Sequence, residues 1–105
     1  MELQPLHSDK IICVKVGKIT RENLYEMTRK YWVMKLERAK EATHVLAIIN
    51  GIVEAVYIPI EWKRSEVRIG RCEFIGYEDI DSDYIGKSVI SFYDKSQNPI
   101  KYINM

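Results

Sequence analysis

The dipeptide Asn50-Gly51 stands between two runs of residues that favour β-strands, 43–49 and 52–58. A type I′ turn needs positive φ at both central residues, and Asn-Gly adopts that conformation readily. The segment therefore predicts a β-hairpin with a two-residue turn, whose side chains alternate between two faces. The predicted pairs are Ile49 with Ile52, Ile48 with Val53, Leu46 with Ala55, and His44 with Tyr57.

Both faces of this hairpin are mostly apolar, and Glu54 is the charged residue that interrupts one of them. A strand pair of this composition is either covered on both sides, as at the centre of a sheet, or buries one face in a barrel or a dimer. The second arrangement predicts a homodimer formed through the apolar hairpin face.

Further strands are predicted at 11–16, 67–76 and 100–103, where β-branched and aromatic residues lie between turn signals. Pro59 is expected to end the second strand of the hairpin, because proline donates no hydrogen bond to a sheet. The segment 88–93 is compatible with either a strand or a short helix.

A helix is predicted between the first strand and the hairpin, with Thr20 as its N-cap. Residues 35–42 are strong helix formers that either extend this helix or begin a second one after a kink near Val33. The apolar residues that recur at steps of three and four, and so share one helix face, are Leu24, Met27, Tyr31 and Met34.

These elements predict an α+β fold: an antiparallel sheet of about five strands around the central Asn-Gly hairpin, with a barrel-like closure as one option, and one or two helices packed on it. A chain of 105 residues suits one domain. Residues 1–9 are expected to form a loose N-terminal arm, and residues 10–105 the single domain.

The formal net charge of +1 provides no global field that would attract DNA or a membrane. The charge is uneven, however: residues 1–71 hold 13 basic and 9 acidic side chains, and residues 72–105 hold 3 and 6. Two cysteines are too few for a disulfide scaffold, which favours a reduced, cytoplasmic setting. The N-terminus is unlike a signal peptide, and no apolar run is long enough for a membrane helix.

Several chemistries are disfavoured by spacing. The tripeptide 84–86 matches half of the GIY-YIG nuclease motif, but neither the upstream half nor a following Arg and Glu stands where that motif needs them. Asp79, Asp81 and Asp83 fail as a calcium loop, because Ile90 occupies the position of its final Glu. The histidines and cysteines stand at no spacing typical of metal ligands. No catalytic residue, metal or cofactor is predicted.

The strongest remaining pattern combines arginines with aromatic residues. Arginine offers a planar fork for phosphate, and an aromatic ring offers a face on which a base can stack. The alternative is that both tryptophans belong to the core while the cations extend over them. An asparagine before a proline can also simply close a turn. The predicted ligand-binding residues are Arg29, Trp32, Trp62, Arg64, Arg71 and Asn98.

Several fragments resemble a recurrent small domain of bacteria and their phages that carries no assigned activity. They are TRKYW at 28–32, ERA at 37–39, HVLAIINGIVEAVY at 44–57, Trp62, RCEFIG at 71–76, DYIGKSV at 83–89 and NPIKYIN at 98–104. The hairpin bordered by tryptophan is also similar to the PUA-like superfamily. That resemblance implies a β-barrel with a pocket for a base, and RNA-binding or modified-base-reading activity.

Two functions of different classes follow. The first is a non-catalytic module that binds a nucleotide or a single-stranded nucleic acid through arginine and aromatic contacts. The alternative is a protein-interaction or phage anti-defence protein, for example an inhibitor or a sponge for a signalling nucleotide. A homo-oligomer is one form that this alternative allows. Both make an enzyme the less favoured interpretation.

Overall fold

The structure is a computed structural model that describes residues 1–17, 24–30, 32–93 and 98–105. Its elements in chain order are β1 (Ile11–Lys15), α1 (Leu24–Arg29), α2 (Leu36–Ala39), β2 (His44–Ile49), β3 (Ile52–Arg64), β4 (Cys72–Glu78), α3 (Ile90–Tyr93) and β5 (Ile100–Ile103). Within the described residues the strands form one sheet, in the order β4-β3-β2-β1-β5. The α+β class is therefore confirmed.

The sheet is mixed, which corrects the prediction of a purely antiparallel one. β1 and β2 run parallel, with Ile11 beside His44, whereas the other neighbouring strands are antiparallel. Parallel neighbours need a crossover connection, usually a helical one, and α1 and α2 lie in the connection from β1 to β2. The sheet is also open, because β4 and β5 end it on opposite sides. The predicted option of a barrel-like closure is therefore wrong.

The predicted helical segment contains two short helices, which is one of the two arrangements expected from the sequence. α1 ends at Arg29 and α2 begins at Leu36. Thr20 and Tyr31, which the sequence assigns to this segment, lie outside the described residues. We call the side of the sheet that carries α1 and α2 the helix face. The half-buried side chains of this segment that pack on it are Leu24, Tyr25, Met27, Trp32, Met34 and Leu36.

The turn between β2 and β3 has the predicted conformation. Asn50 has a φ of 52° and Gly51 a φ of 77°, and positive φ at both positions is what a type I′ turn requires. The two pairs nearest the turn, Ile49 with Ile52 and Ile48 with Val53, are confirmed.

A β-bulge then shifts the register by one residue. Glu54 is the extra residue, and its side chain is exposed. A bulge places two residues of one strand opposite one of its partner, so the strand keeps its apolar alternation while the carboxylate stays in solvent. The observed pairs are Ala47 with Ala55, Leu46 with Val56 and Val45 with Tyr57, in place of the predicted pairs of Leu46 with Ala55 and His44 with Tyr57.

β3 does not end at Pro59 as predicted but continues to Arg64. Its pairing with β2 stops at Tyr57, so Pro59 has only β4 as a neighbour and lies where the β3–β4 register shifts. Strand prolines are tolerated at edges and at bulges. The backbones approach closely here, since a Cβ atom on Gly76 would lie 2.2 Å from the carbonyl oxygen of Ile58.

The opposite side of the sheet, which we call the arm face, is covered by the N-terminal residues and by the segment 84–93. Leu3 is buried, and its backbone N–H donates a hydrogen bond of 2.8 Å to the Ser88 carbonyl. Leu3 thus connects the N-terminal residues to the arm face, although most of residues 1–9 are exposed. The segment 88–93 contains the helix α3 and forms no strand of the sheet.

Both faces of the β2–β3 hairpin are therefore covered within one chain. Buried side chains of the hairpin belong to the core under the helix face and to the core under the arm face. The hairpin occupies the centre of the sheet, the first of the two arrangements expected for it, and no longer gives a reason for a homodimer. Among the described helices, none is long and apolar enough to span a membrane.

Candidate anion-binding site

The outer edge of β4 is covered by α1 and by the residues that follow it. Trp32 and Cys72 exchange backbone hydrogen bonds of 2.9 and 3.1 Å. The Arg29 guanidinium donates to the carbonyl oxygen of Phe74 at 3.4 Å, and the Gly76 N–H donates to the Tyr25 hydroxyl at 3.0 Å. An uncovered edge strand invites pairing with other chains, so these contacts protect the sheet.

Arg29, one of the predicted ligand-binding residues, has its charge used within the protein. Its guanidinium donates to Glu26 at 2.8 Å and to Glu73 at 2.7 Å. The Arg29 hydrogen bond holds the pKa of Glu26 below its usual value, although partial burial opposes this effect. Because Glu73 is buried, a phosphate that took Arg29 would leave a carboxylate without its partner. Arg29 therefore has a structural role.

The two tryptophans occupy different environments. Trp62 is only 7% exposed and packs in the helix-face core, with its ring centroid 5.0 Å from that of Phe74. Trp32 is half-buried, and its indole N–H donates to the Thr28 carbonyl at 2.6 Å. Trp62 cannot offer a face to a base without unpacking the core, and Trp32 is held against α1.

Arg64 and Arg71 are brought together by the loop between β3 and β4. The Ser65 N–H donates to the Arg71 carbonyl at 2.8 Å. The Ser65 hydroxyl accepts hydrogen bonds from the backbone N–H groups of Val67 at 3.2 Å and Arg68 at 3.0 Å. Gly70 closes the loop with a φ of 79°. This bonding holds the two arginines at the two ends of one short loop.

The connection from α1 to α2 lies against this loop, and the two segments enclose a cavity of about 230 Å³. We call it the basic concavity. Among the described residues, its charged side chains are three cations, Lys35, Arg64 and Arg71, and one carboxylate, Glu37. It is lined by Met34, Lys35, Leu36, Glu37, Arg64, Gly70, Arg71 and Cys72.

Lys35 is the member of this site that the sequence interpretation missed. It occupies the N-cap position of α2 with an extended backbone and makes no side-chain capping bond. Ser, Thr, Asp and Asn are the residues preferred at such a position. A lysine there is unusual, and this is the sequence signal that could have indicated a role for Lys35 other than capping. Its approach to Arg64 and Arg71 depends on tertiary structure, however, and spacing alone could not predict it.

Cys72 contributes a neutral thiol to the basic concavity. It is 3% exposed, and its Sγ donates to the Met34 carbonyl at 3.2 Å. Burial raises the pKa of this thiol; Arg64 lowers it and Glu37 raises it to lesser extents. Because the thiolate is the nucleophilic form of cysteine, this residue is not activated for attack.

Asn98 does not join the basic concavity. Its side-chain Oδ1 accepts a hydrogen bond of 2.9 Å from the backbone N–H of Ile100, which closes the turn before β5. β5 is the opposite edge of the sheet from β4. Of the six predicted ligand-binding residues, the structure therefore groups Arg64 and Arg71 and places Asn98 far from them.

A second, larger cavity of about 540 Å³ has the opposite charge. Its lining includes His44, Tyr84 and Lys87, and the Tyr84 hydroxyl donates to Asp9. Among the described residues, five carboxylates also line it, those of Glu2, Asp9, Asp79, Asp81 and Asp83, and we call it the acidic cavity. This field repels phosphate. In the part of the chain that the structure describes, no three His, Cys, Asp or Glu side chains are grouped so as to hold a metal ion.

Comparison with models of protein families, with curated proteins and with solved structures finds no match for this chain. The resemblances noted in the sequence therefore remain predictions. Among the described side chains, those of the basic concavity combine a positive charge with a concave shape, as a site for an anionic group requires.

Proposed function

We propose that this protein is a non-catalytic module that binds a nucleotide or a nucleic-acid strand by its phosphates, in the basic concavity. One observation carries the proposal: Arg64 and Arg71, at the two ends of the β3–β4 loop, and Lys35, from the α1–α2 connection, line the same cavity. In the described part of the chain, segments far apart in the sequence thus bring three cations to one place, where Glu37 is the one carboxylate.

Phosphate is the anion that best suits this set of donors. An arginine guanidinium can donate two parallel hydrogen bonds to one phosphate, and a lysine ammonium adds a point charge. Among the described residues of its lining, Glu37 is the one carboxylate, and the Cys72 thiol is neutral. The acidic cavity carries the opposite charge, which favours binding at one place on the protein.

The contribution of aromatic stacking is smaller than the sequence pattern predicts. Trp62 is in the core, and neither indole is part of the lining of the basic concavity. Phosphate contacts position a strand without reading its bases. We therefore expect an affinity that depends strongly on salt and weakly on base sequence.

The test compares two neighbouring cations on opposite faces of one strand. Arg64→Gln removes a charge from the basic concavity, whereas Lys63→Gln removes one from the other face of β3. Binding of a fluorescent single strand of roughly 12 nucleotides is measured by anisotropy, with thermal unfolding as the control for folding. Arg64→Gln should weaken binding about tenfold, and Lys63→Gln less than about twofold.

Salt provides a second readout of the same proposal. Between about 50 and 200 mM salt, the logarithm of the association constant should fall with a slope of about −2 for three cations that each neutralise a phosphate of a single strand. A wild-type protein that binds neither this strand nor a mononucleotide, or an Arg64→Gln variant that is folded and binds normally, would overturn the proposal.

A protein-interaction function is the second candidate, and a different observation favours it. Ile75 and Tyr77 lie on the outer part of the arm face, where they are 41% and 56% exposed. Ile60, at the register shift of β3, is 71% exposed. If these side chains bind another protein or a second copy, Tyr77→Ser should abolish that association without affecting strand binding; light scattering measures the self-association.

A further inference from the structure

The basic concavity has a size and a charge that fit the end of a strand better than its middle. Ligand pockets that bury whole small molecules usually measure roughly 300–1,000 Å³, and this cavity measures about 230 Å³. It can therefore take one group of a nucleotide, with the rest of the ligand outside.

The charges of the lining point to the same kind of group. The three cations and one carboxylate of the described lining leave an excess of two positive charges. A phosphodiester inside a strand carries one negative charge, whereas a terminal phosphate monoester carries about −1.5 to −2 at neutral pH and three strong acceptor oxygens. Two guanidinium forks and an ammonium group can donate to all three of those oxygens.

The placement of the three cations on two separate segments also suits a terminal group. Arg64 and Arg71 lie at the two ends of the β3–β4 loop, whereas Lys35 lies in the α1–α2 connection, and all three line the cavity. A phosphate that is linked to its strand or nucleoside through only one oxygen can turn its three remaining oxygens toward the cations of both segments. A phosphate linked on both sides has to keep two oxygens for its own strand.

We infer that the basic concavity selects a terminal phosphate monoester, the phosphorylated end of a strand or of a mononucleotide, over internal phosphodiesters. This inference rests on the proposed function, because it names the group of the nucleotide or nucleic acid that this same site binds.

The experiment uses one strand sequence with an internal fluorophore and different ends. The strands carry a hydroxyl at both ends, a 5′-phosphate, a 3′-phosphate, or a 5′-phosphate blocked as its methyl ester. The methyl ester is the matched control, because it adds a phosphorus and a negative charge but remains a diester. Each strand is titrated with wild-type protein and with Arg71→Gln and Lys63→Gln.

We expect one of the phosphorylated strands to bind roughly tenfold more tightly than the hydroxyl-ended strand, the effect of one added charge-assisted hydrogen bond. The methyl ester should bind like the hydroxyl-ended strand. Arg71→Gln should remove the preference, and Lys63→Gln should keep it. Adenosine monophosphate, added as a competitor, separates the two sources: equal potency identifies a free nucleotide, and weaker potency identifies the end of a strand.

Three results would overturn the inference, and they are distinguishable. If all four strands bind equally and Arg64→Gln weakens them all, the monoester preference is wrong and the proposed function stands. If no strand and no mononucleotide binds to the wild-type protein, the proposed function is wrong as well. A methyl ester that binds as tightly as the free 5′-phosphate would show that charge alone is recognised, and would also overturn the inference.

Discussion

Trp32 and Cys72 exchange both of their backbone hydrogen bonds across the outer edge of β4, although they are 40 residues apart in the sequence. This bridge ties the α1–α2 connection to the sheet. It also aligns the wall that carries Lys35 with the end of β4 that follows Arg71. The contacts that protect the sheet edge are thus the same ones that position the basic concavity.

The first prediction concerns Arg29, which we assign to structure and not to ligand binding. Arg29→Ala should lower the free energy of unfolding by about 2 kcal/mol, because it removes charge-assisted hydrogen bonds and leaves the buried Glu73 without its partner. Lys10→Ala, which removes an exposed ion pair with Glu41 at 3.7 Å, should cost less than about 1 kcal/mol. Chemical denaturation measures both values.

Strand binding distinguishes the two roles of Arg29. Folded Arg29→Ala protein should bind the phosphorylated strand with a dissociation constant within about twofold of that of the wild type. This change is well below the loss of affinity expected when one charge-assisted hydrogen bond to the ligand is removed. A stable variant that has lost its affinity would contradict the structural assignment and restore Arg29 to the ligand-binding residues.

The second prediction is a dependence on pH. Hydrogen bonding to Arg29 holds the pKa of Glu26 below its usual value of 4.5. A lowered pKa in the folded state adds stability that is fully present above the unfolded value and is lost as the pH falls through the folded value. The difference in stability between wild type and Arg29→Ala should therefore shrink below about pH 4.5. Unfolding transitions of both proteins from about pH 7 to about pH 3 measure it, and a difference that stays constant would contradict the assigned contact.

Local signals in the sequence were sufficient for the turn at Asn50-Gly51, because the φ values of two residues decide it. They were not sufficient for the bulge at Glu54. A bulge is chosen by what each face of the sheet packs against, and the N-terminal residues that cover the arm face are distant in the sequence. The parallel pairing of β1 and β2 was missed for a related reason. The helical segment between them is a crossover connection, and its hydrophobic pattern predicts helices but not whether the strands on either side pair with each other.

The candidate site, too, could be predicted only in part from local patterns in the sequence. Arg64 and Arg71 could be predicted because both flank one loop, where cations near an aromatic residue are a visible local pattern. The roles of Arg29 and Trp62 could not, because they depend on partners far along the chain. Glu73 lies 44 residues from Arg29, and the ring of Phe74 is 12 residues from Trp62 and covers its indole. A cation beside an aromatic residue is an ambiguous pattern until the partners of both are known.

The third prediction tests the close approach of β3 and β4. A Cβ atom on Gly76 would lie 2.2 Å from the Ile58 carbonyl oxygen, whereas a Cβ on Gly17 would meet no atom within 4 Å. Gly76→Ala should therefore lower the free energy of unfolding by roughly 1–3 kcal/mol, since backbone has to move. Gly17→Ala should change it by less than about 0.5 kcal/mol. Equal effects of the two substitutions in thermal unfolding would contradict the β3–β4 register described here.

The last prediction uses the two cysteines as reporters of the site. Cys72 lines the basic concavity, whereas Cys13 is fully buried in the arm-face core and burial raises its pKa to about 12. Small alkylating reagents should therefore modify Cys72 faster than Cys13, because the thiolate reacts and both access and pKa favour Cys72.

A bound terminal phosphate should slow the modification of Cys72 about threefold or more, if it occupies the cavity for most of the time, and leave Cys13 unchanged. Mass spectrometry of the alkylated peptides measures both rates in one sample. If a saturating phosphorylated strand slows neither cysteine, or slows both equally, the ligand binds elsewhere or acts only by stabilising the fold.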